Sequence, residues 1–72
     1  MRALPALSGR AVIAALEQAG FEGGGRIIFL RHRDDPSRQT VVPVHRHDLP
    51  PGTLRAILRQ ARLSRAQFLD LL

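Results

Sequence analysis

The sequence contains no cysteine, no lysine, no tryptophan and no tyrosine, and its only aromatic residues are three phenylalanines. The absence of cysteine excludes disulfide bonds and thiolate metal sites. A chain of 72 residues buries only about 60% of its unfolded surface, so its stability margin is small. We therefore expect one domain over residues 1–72, an intracellular chain that acts together with a partner subunit.

Long hydrophobic runs are also missing. No apolar segment approaches the roughly 20 residues that span a bilayer. The first residues, Met1 to Pro5, lack the hydrophobic core of a signal peptide. The mean hydropathy of −0.07 is typical of a globular protein. We expect a cytoplasmic chain that does not contact a membrane.

The missing lysine is balanced by arginine, which supplies all 11 basic residues against six acidic ones, for a formal net charge of +5. Guanidinium groups bind phosphate bidentately and stack on bases, so this charge favours nucleic acid or an acidic protein as the partner. A genome that prefers arginine codons would explain arginine in place of lysine. It would not explain the excess of positive charge.

The pattern of apolar residues predicts the order α-β-β-α-α. Ser8 is a candidate N-cap and Gly20 a candidate stop for the first helix, and Ser64-Arg65-Ala66-Gln67 is a capping box before the last one. A short strand at Phe21-Glu22 would make the sheet three-stranded. The main predicted elements are helices over 9–19 and 53–61, strands over 26–32 and 40–45, and a final short helix with Phe68, Leu71 and Leu72 inward.

Alternation along the strands gives the sheet two partly apolar faces. Phe29 and Arg31 point one way, while Ile28 and Leu30 point the other. Helices in a domain this small can cover only one face. The exposed face would carry an apolar patch, which usually marks a protein interface, either with a different chain or with a second copy.

Two segments resemble the HicA family of toxins from bacterial toxin–antitoxin pairs. They are TVVPVHRHDLPPGTLRAILRQARLSRAQFLDLL (40–72) and SGRAVIAALEQAGF (8–21). The resemblance implies an α+β fold like that of double-stranded-RNA-binding domains. In that fold a helix and a small antiparallel sheet of two to three strands precede a second helix and a short third helix. It also implies an mRNA-cleaving ribonuclease that needs no metal or other cofactor and is neutralised by a HicB-type antitoxin.

The family's ribonuclease activity depends on one histidine in a G-S-H motif at the start of the central strand. An imidazole there can accept or donate a proton near neutral pH. This sequence instead has Gly-Phe-Glu-Gly-Gly-Gly-Arg over 20–26, and the catalytic position falls on Arg26 or Ile27. Arginine could hold RNA and stabilise developing negative charge, but it cannot act as a general base.

The glycine triplet at 23–25 is open to two other interpretations. A phosphate-binding loop would have to precede a helix, whose N-terminus supplies the amides, but this triplet precedes a strand. A flexible turn at the strand entry is therefore favoured over a phosphate loop.

The remaining histidines are candidates for substitute chemistry. His32 and His45 would form an acid–base pair if their strands pair in register, and the alternative is that each is a half-exposed residue at a strand end. Zinc binding by His45, His47 and an aspartate is disfavoured because no further ligand motif accompanies them.

Arginines supply the candidate RNA-binding residues. A-form RNA is held through its phosphates and 2′-hydroxyls, which suits a basic surface. The three phenylalanines are placed like core residues, so base stacking is not expected to be the main binding mode. The candidates are Arg26, Arg31, Arg33, Arg38, Arg55, Arg59 and Arg62. A solvated helix face is the alternative for the last three. The resemblance and the charge thus predict a HicA-like toxin that binds mRNA, with its ribonuclease activity lost, weakened or rebuilt around other residues, or else an inactive RNA-binding or antitoxin-binding module derived from such a toxin.

Overall fold

The computed structural model describes residues 4–24, 28–44 and 47–72. Three helices and three strands follow the chain in the order α1-β1-β2-β3-α2-α3. Their bounds are α1 Gly9–Gln18, β1 Phe21–Gly24, β2 Ile28–His32, β3 Gln39–Val42, α2 Pro51–Ala61 and α3 Arg65–Leu69. The α+β class and the three-stranded version of the predicted sheet are confirmed. None of the described helices is long and apolar enough to cross a membrane.

Helix α1 begins and ends as its sequence predicts. The Ser8 hydroxyl accepts a hydrogen bond from the Ala11 amide at 3.2 Å, which satisfies one of the free donors of the first turn. Gly20 follows the helix with a φ of +101°, a left-handed conformation that glycine adopts without strain. The chain therefore reverses within two residues and enters β1.

The sheet is antiparallel, with β2 between β1 and β3. Strand β1 is longer than the predicted Phe21-Glu22, because Gly23 and Gly24 pair with Leu30 and Phe29. The prediction that the glycines form only a turn is thus wrong for these two, and Gly25 lies outside the described residues. A Cβ at Gly23 would collide with the carbonyl oxygen of Phe29, so this position needs a residue without a side chain.

Strand β3 is shorter than predicted and ends at Val42 rather than at residue 45. The next residue is Pro43, which has no amide hydrogen to continue the ladder. Strand β3 is an edge strand of the sheet.

Helix α2 begins two residues earlier than predicted. Pro51 occupies the first helical turn, where its fixed φ suits the helix and its missing amide hydrogen costs nothing. Arg62 ends the helix in the left-handed conformation with φ 57°. Helix α3 has the predicted capping box, in which Ser64 and Gln67 each accept from the other's backbone amide.

One hydrophobic core lies between the helices and one face of the sheet. Thr40 is the polar residue buried beside it, and its hydroxyl donates to Gln60 Oε1 at 2.7 Å. Phe68 of α3 is fully buried as predicted and Leu71 packs against the core, but Leu72 is 56% exposed, so its predicted inward position is wrong. The largest buried side chains are Val12, Leu16, Phe21, Leu30, Val42, Leu54 and Phe68.

In the described part of the chain, no helix packs on the opposite face of the sheet. Cross-strand pairing places Glu22, Phe29, Arg31, Gln39 and Val41 together on this side, which we call the open face. The prediction that the helices cover one face and leave the other exposed is confirmed for the described strands.

Candidate nucleic-acid interface

His32, one of the two candidate catalytic histidines, ends β2 and has both ring nitrogens engaged. Nε2 lies 2.9 Å from the carbonyl oxygen of Ala19, and Nδ1 accepts from the Asp34 amide at 3.1 Å. A carbonyl only accepts, so the proton is on Nε2 and Nδ1 is the acceptor. The ring also meets Phe21 edge to face, with 5.1 Å between centroids. His32 therefore links the end of α1 to the turn after β2.

The other candidate positions fall partly outside the described residues. Arg26, Ile27 and His45 lie outside, so the pairing of His32 with His45 stays a prediction. His47 is exposed in the loop before α2. Within the described ranges, no three histidine, aspartate or glutamate side chains come together as metal ligands.

Arg38 is engaged with the protein's own backbone. Its Nε donates to the carbonyl oxygen of Ala61 at 2.9 Å, near the end of α2. Its guanidinium carbon lies 5.4 Å from the centroid of the Phe21 ring, a cation–π contact. The side chain is half-buried and ties β3 to α2, so part of its hydrogen-bonding capacity is used inside the fold.

Arg62 faces the turn between β2 and β3. Its Nη1 lies 3.6 Å from Oδ2 of Asp35, and both side chains are largely exposed. The Ser37 hydroxyl and amide donate to Asp35 Oδ1 at 2.6 and 3.2 Å. The Ser37 hydroxyl is the main cause that lowers the pKa of Asp35, and the charges of Arg62 and Arg38 act in the same direction.

Two further groups of arginines are exposed on different sides of the sheet. Arg31 and Arg33 border a shallow depression at the open face, of about 480 Å³. Arg55 and Arg59 lie on α2, on the helical side, where they line a smaller groove with Arg65. Arg65 is not among the RNA-binding arginines predicted from sequence, because residues 64–67 are assigned there only as the capping box of α3.

The open face also corrects the prediction that all three phenylalanines belong to the core. Phe21 and Phe68 are buried, but Phe29 is 37% exposed. The guanidinium carbon of Arg31 lies 5.5 Å from the centroid of its ring. The alternation of β2 contained this signal, because Phe29 points away from Leu30, which is buried.

Comparison with known families decides where the chain belongs. A model described as the HicA toxin of bacterial toxin–antitoxin systems matches residues 9–63. The chain belongs to the HicA toxin family. No curated protein matches it closely enough to count as a relative.

The HicA match begins at the first residue of α1 and extends past the end of α2, so it includes all three strands. It covers the arginines of both exposed groups except Arg65. Helix α3 lies beyond it, although Phe68 completes the core. Membership in the HicA family makes the chain a toxin of a toxin–antitoxin system.

Proposed function

We propose that this HicA-family toxin acts by binding mRNA and is neutralised by a HicB-type antitoxin. The family match over residues 9–63 is the observation that carries the proposal. The net charge of +5 supports it, because RNA is a polyanion and phosphate contacts dominate its affinity for proteins. The exposed arginines of the two groups supply side chains for such contacts.

Cleavage of the bound RNA would need an acid and a base. In this version of the function, His32 and His45 act as the acid and the base in place of the family's histidine. Arg26 binds the RNA. For His32 to exchange a proton with RNA, its bond to Ala19 or to Asp34 would first have to open. Opening either bond would release the α1 end or the turn that His32 links.

A second candidate function is an RNA-binding or antitoxin-binding module that does not cut RNA. The contacts of His32 favour it, since both ring nitrogens already serve the fold. The sequence at the predicted catalytic position, which falls on Arg26 or Ile27, also favours it, because neither arginine nor isoleucine can accept a proton near neutral pH.

Incubation of the purified chain with labelled mRNA separates the two functions. Cleavage that persists in EDTA and is lost in a folded His32→Gln variant would support the ribonuclease. Binding without cleavage would support the module, and cleavage regained in Arg26→His would then identify residue 26 as the vacant catalytic position. A chain that neither binds nor cleaves RNA would contradict both functions.

The antitoxin is tested separately by co-expression with the neighbouring open reading frame. We expect the two products to purify as one complex and growth arrest by the toxin to be relieved. Independent purification of the two chains would contradict the proposed partner.

A further inference from the structure

The open face carries one exposed aromatic ring in the middle of the sheet. Phe29 lies in the central strand β2, and Val41 is its neighbour on β3, 44% exposed. The helices pack on the other face, so no helix in the described part of the chain covers the ring. Phe29 and Val41 are cross-strand neighbours and so form one contiguous apolar patch, the kind of surface that marks a binding site.

The surroundings of Phe29 form a site of suitable size. The depression beside it measures about 480 Å³, within the range of about 300–1,000 Å³ that small-ligand sites occupy. Gly23 borders the depression through its backbone, and Phe29 pairs on β1 with Gly24, a residue type that adds no side chain beside the ring. The depression therefore stays open beside a flat apolar surface.

The charged groups around this depression favour a base over the ring and a phosphate at one end. The Arg31 guanidinium lies over Phe29, and aromatic rings with guanidinium planes are the groups on which proteins stack unpaired bases. Arg33 borders the depression and can bind a phosphate. Glu22 lies opposite Arg31 on β1 and would repel a phosphate there. The sugar–phosphate backbone of the bound RNA would thus run toward Arg33.

We propose that this depression, the Phe29 pocket (Glu22, Gly23, Phe29, Arg31 and Arg33), binds an unpaired base of single-stranded RNA. The inference rests on the proposed RNA-binding function and adds the part of the strand that is recognised and the place where it binds. A protein partner is less favoured than RNA as the ligand of this pocket. Among the described residues, the apolar side chains exposed on the open face are Phe29 and Val41, whereas a stable interface usually buries about 800 Å² per partner. The charge on the two arginines complements RNA.

The test compares two 2′-O-methyl strands, which resist cleavage: an oligouridine and a strand of equal length made of abasic spacers. Binding is measured by fluorescence anisotropy. Wild type should prefer the oligouridine, and Phe29→Leu should lose this preference with a fall in oligouridine affinity of about 5-fold to 100-fold. Val41→Ala removes apolar surface from the same face without removing a ring and should retain the preference. Circular dichroism and urea midpoints verify that each variant is folded.

A fluorescent variant gives an independent measurement. The chain has no tryptophan, so Phe29→Trp introduces a single reporter whose emission a stacked base should quench. Leu72→Trp, at an exposed position near the C-terminus, should show no quenching.

The outcomes distinguish this inference from the proposed function. If wild type binds neither strand, RNA binding itself fails and the Phe29 pocket fails with it. If wild type binds both strands equally, or Phe29→Leu binds like wild type, the pocket is overturned while RNA binding stands. If Phe29→Leu leaves RNA affinity unchanged but abolishes the complex with the antitoxin, the open face is a protein interface and the base site is overturned.

Discussion

At the scale of single residues, the same residue type has different roles in this chain according to its surroundings. Gly23 lies where β1 approaches β2 so closely that a Cβ would meet the Phe29 carbonyl oxygen. Gly52 lies in the first turn of α2, where a Cβ would meet no other atom within 4 Å. The first glycine is required by packing, and the second only adds conformational entropy to the unfolded chain.

These two glycines form a matched pair for alanine substitution. We expect Gly23→Ala to lower the free energy of unfolding by about 1–3 kcal/mol, because the strands must separate to admit the methyl group. Gly52→Ala should raise it by about 0.4–1 kcal/mol, because helical backbone angles suit alanine. Urea denaturation measures both values. Equal effects of the same sign would contradict the close approach of β1 and β2.

His32 shows at the same scale why a residue type does not define a role. Its position near the end of a strand is compatible with acid–base chemistry. The backbone groups of Ala19 and Asp34 nevertheless occupy both of its nitrogens. Neither partner is adjacent to His32 in sequence, and only the reversal at Gly20 brings Ala19 to the ring.

At the scale of elements, the turn between β2 and β3 is held to the end of α2. Arg38 donates to Ala61 from one side of the turn, and Asp35 faces Arg62 from the other. Ser37 completes the turn by donating twice to Asp35. Charged side chains therefore connect the end of α2 to the sheet, in addition to the packing of the core.

Stability should depend on pH through Asp35. Its folded-state pKa is lowered from 3.8, mainly by the Ser37 hydroxyl. The stabilisation is therefore present above pH 3.8 and is lost as the pH falls below this value. Asp35→Asn should reduce the fall in urea midpoint below this pH, and Ser37→Ala should reproduce part of that reduction. A wild-type pH profile in Asp35→Asn would contradict these contacts.

At the scale of the whole molecule, the exposed arginines divide between two sides of the sheet. Arg31 and Arg33 border the Phe29 pocket on the open face, while Arg55 and Arg59 lie on the helical side. A single strand of RNA held at the open face would contact the first pair more closely than the second. The joint basic surface predicted from sequence would instead require both pairs.

Salt dependence of RNA binding separates these arrangements. Replacing Arg31 and Arg33 by glutamine should weaken binding and reduce the slope of log affinity against log salt concentration by about 0.7, for the one phosphate contact expected at Arg33. A reduction of about 1.4 would show that Arg31 contacts phosphate as well. The matched variant with Arg55→Gln and Arg59→Gln should have the smaller effect. A larger effect of the α2 pair would place RNA on the helical side.

The sequence by itself determined the local elements and the family. Ser8, Gly20 and the Ser64–Gln67 capping box locate helix ends because capping depends on side chains within one turn of the backbone. Alternation along β2 predicted which side chains share a face, because successive residues of a strand point to opposite sides. The α+β fold follows from these local signals together with the HicA pattern.

Only the tertiary structure decided which of the two apolar faces is covered, and with it the position of Phe29. The periodicity of β2 is the same whichever face the helices choose. Packing of α1 and α2 against Leu30 and Val42 buried one face and left the Phe29 ring exposed. The internal contacts of His32 and Arg38 were likewise beyond sequence patterns. Their acceptors are backbone carbonyls, which every residue has and which the fold alone brings within reach.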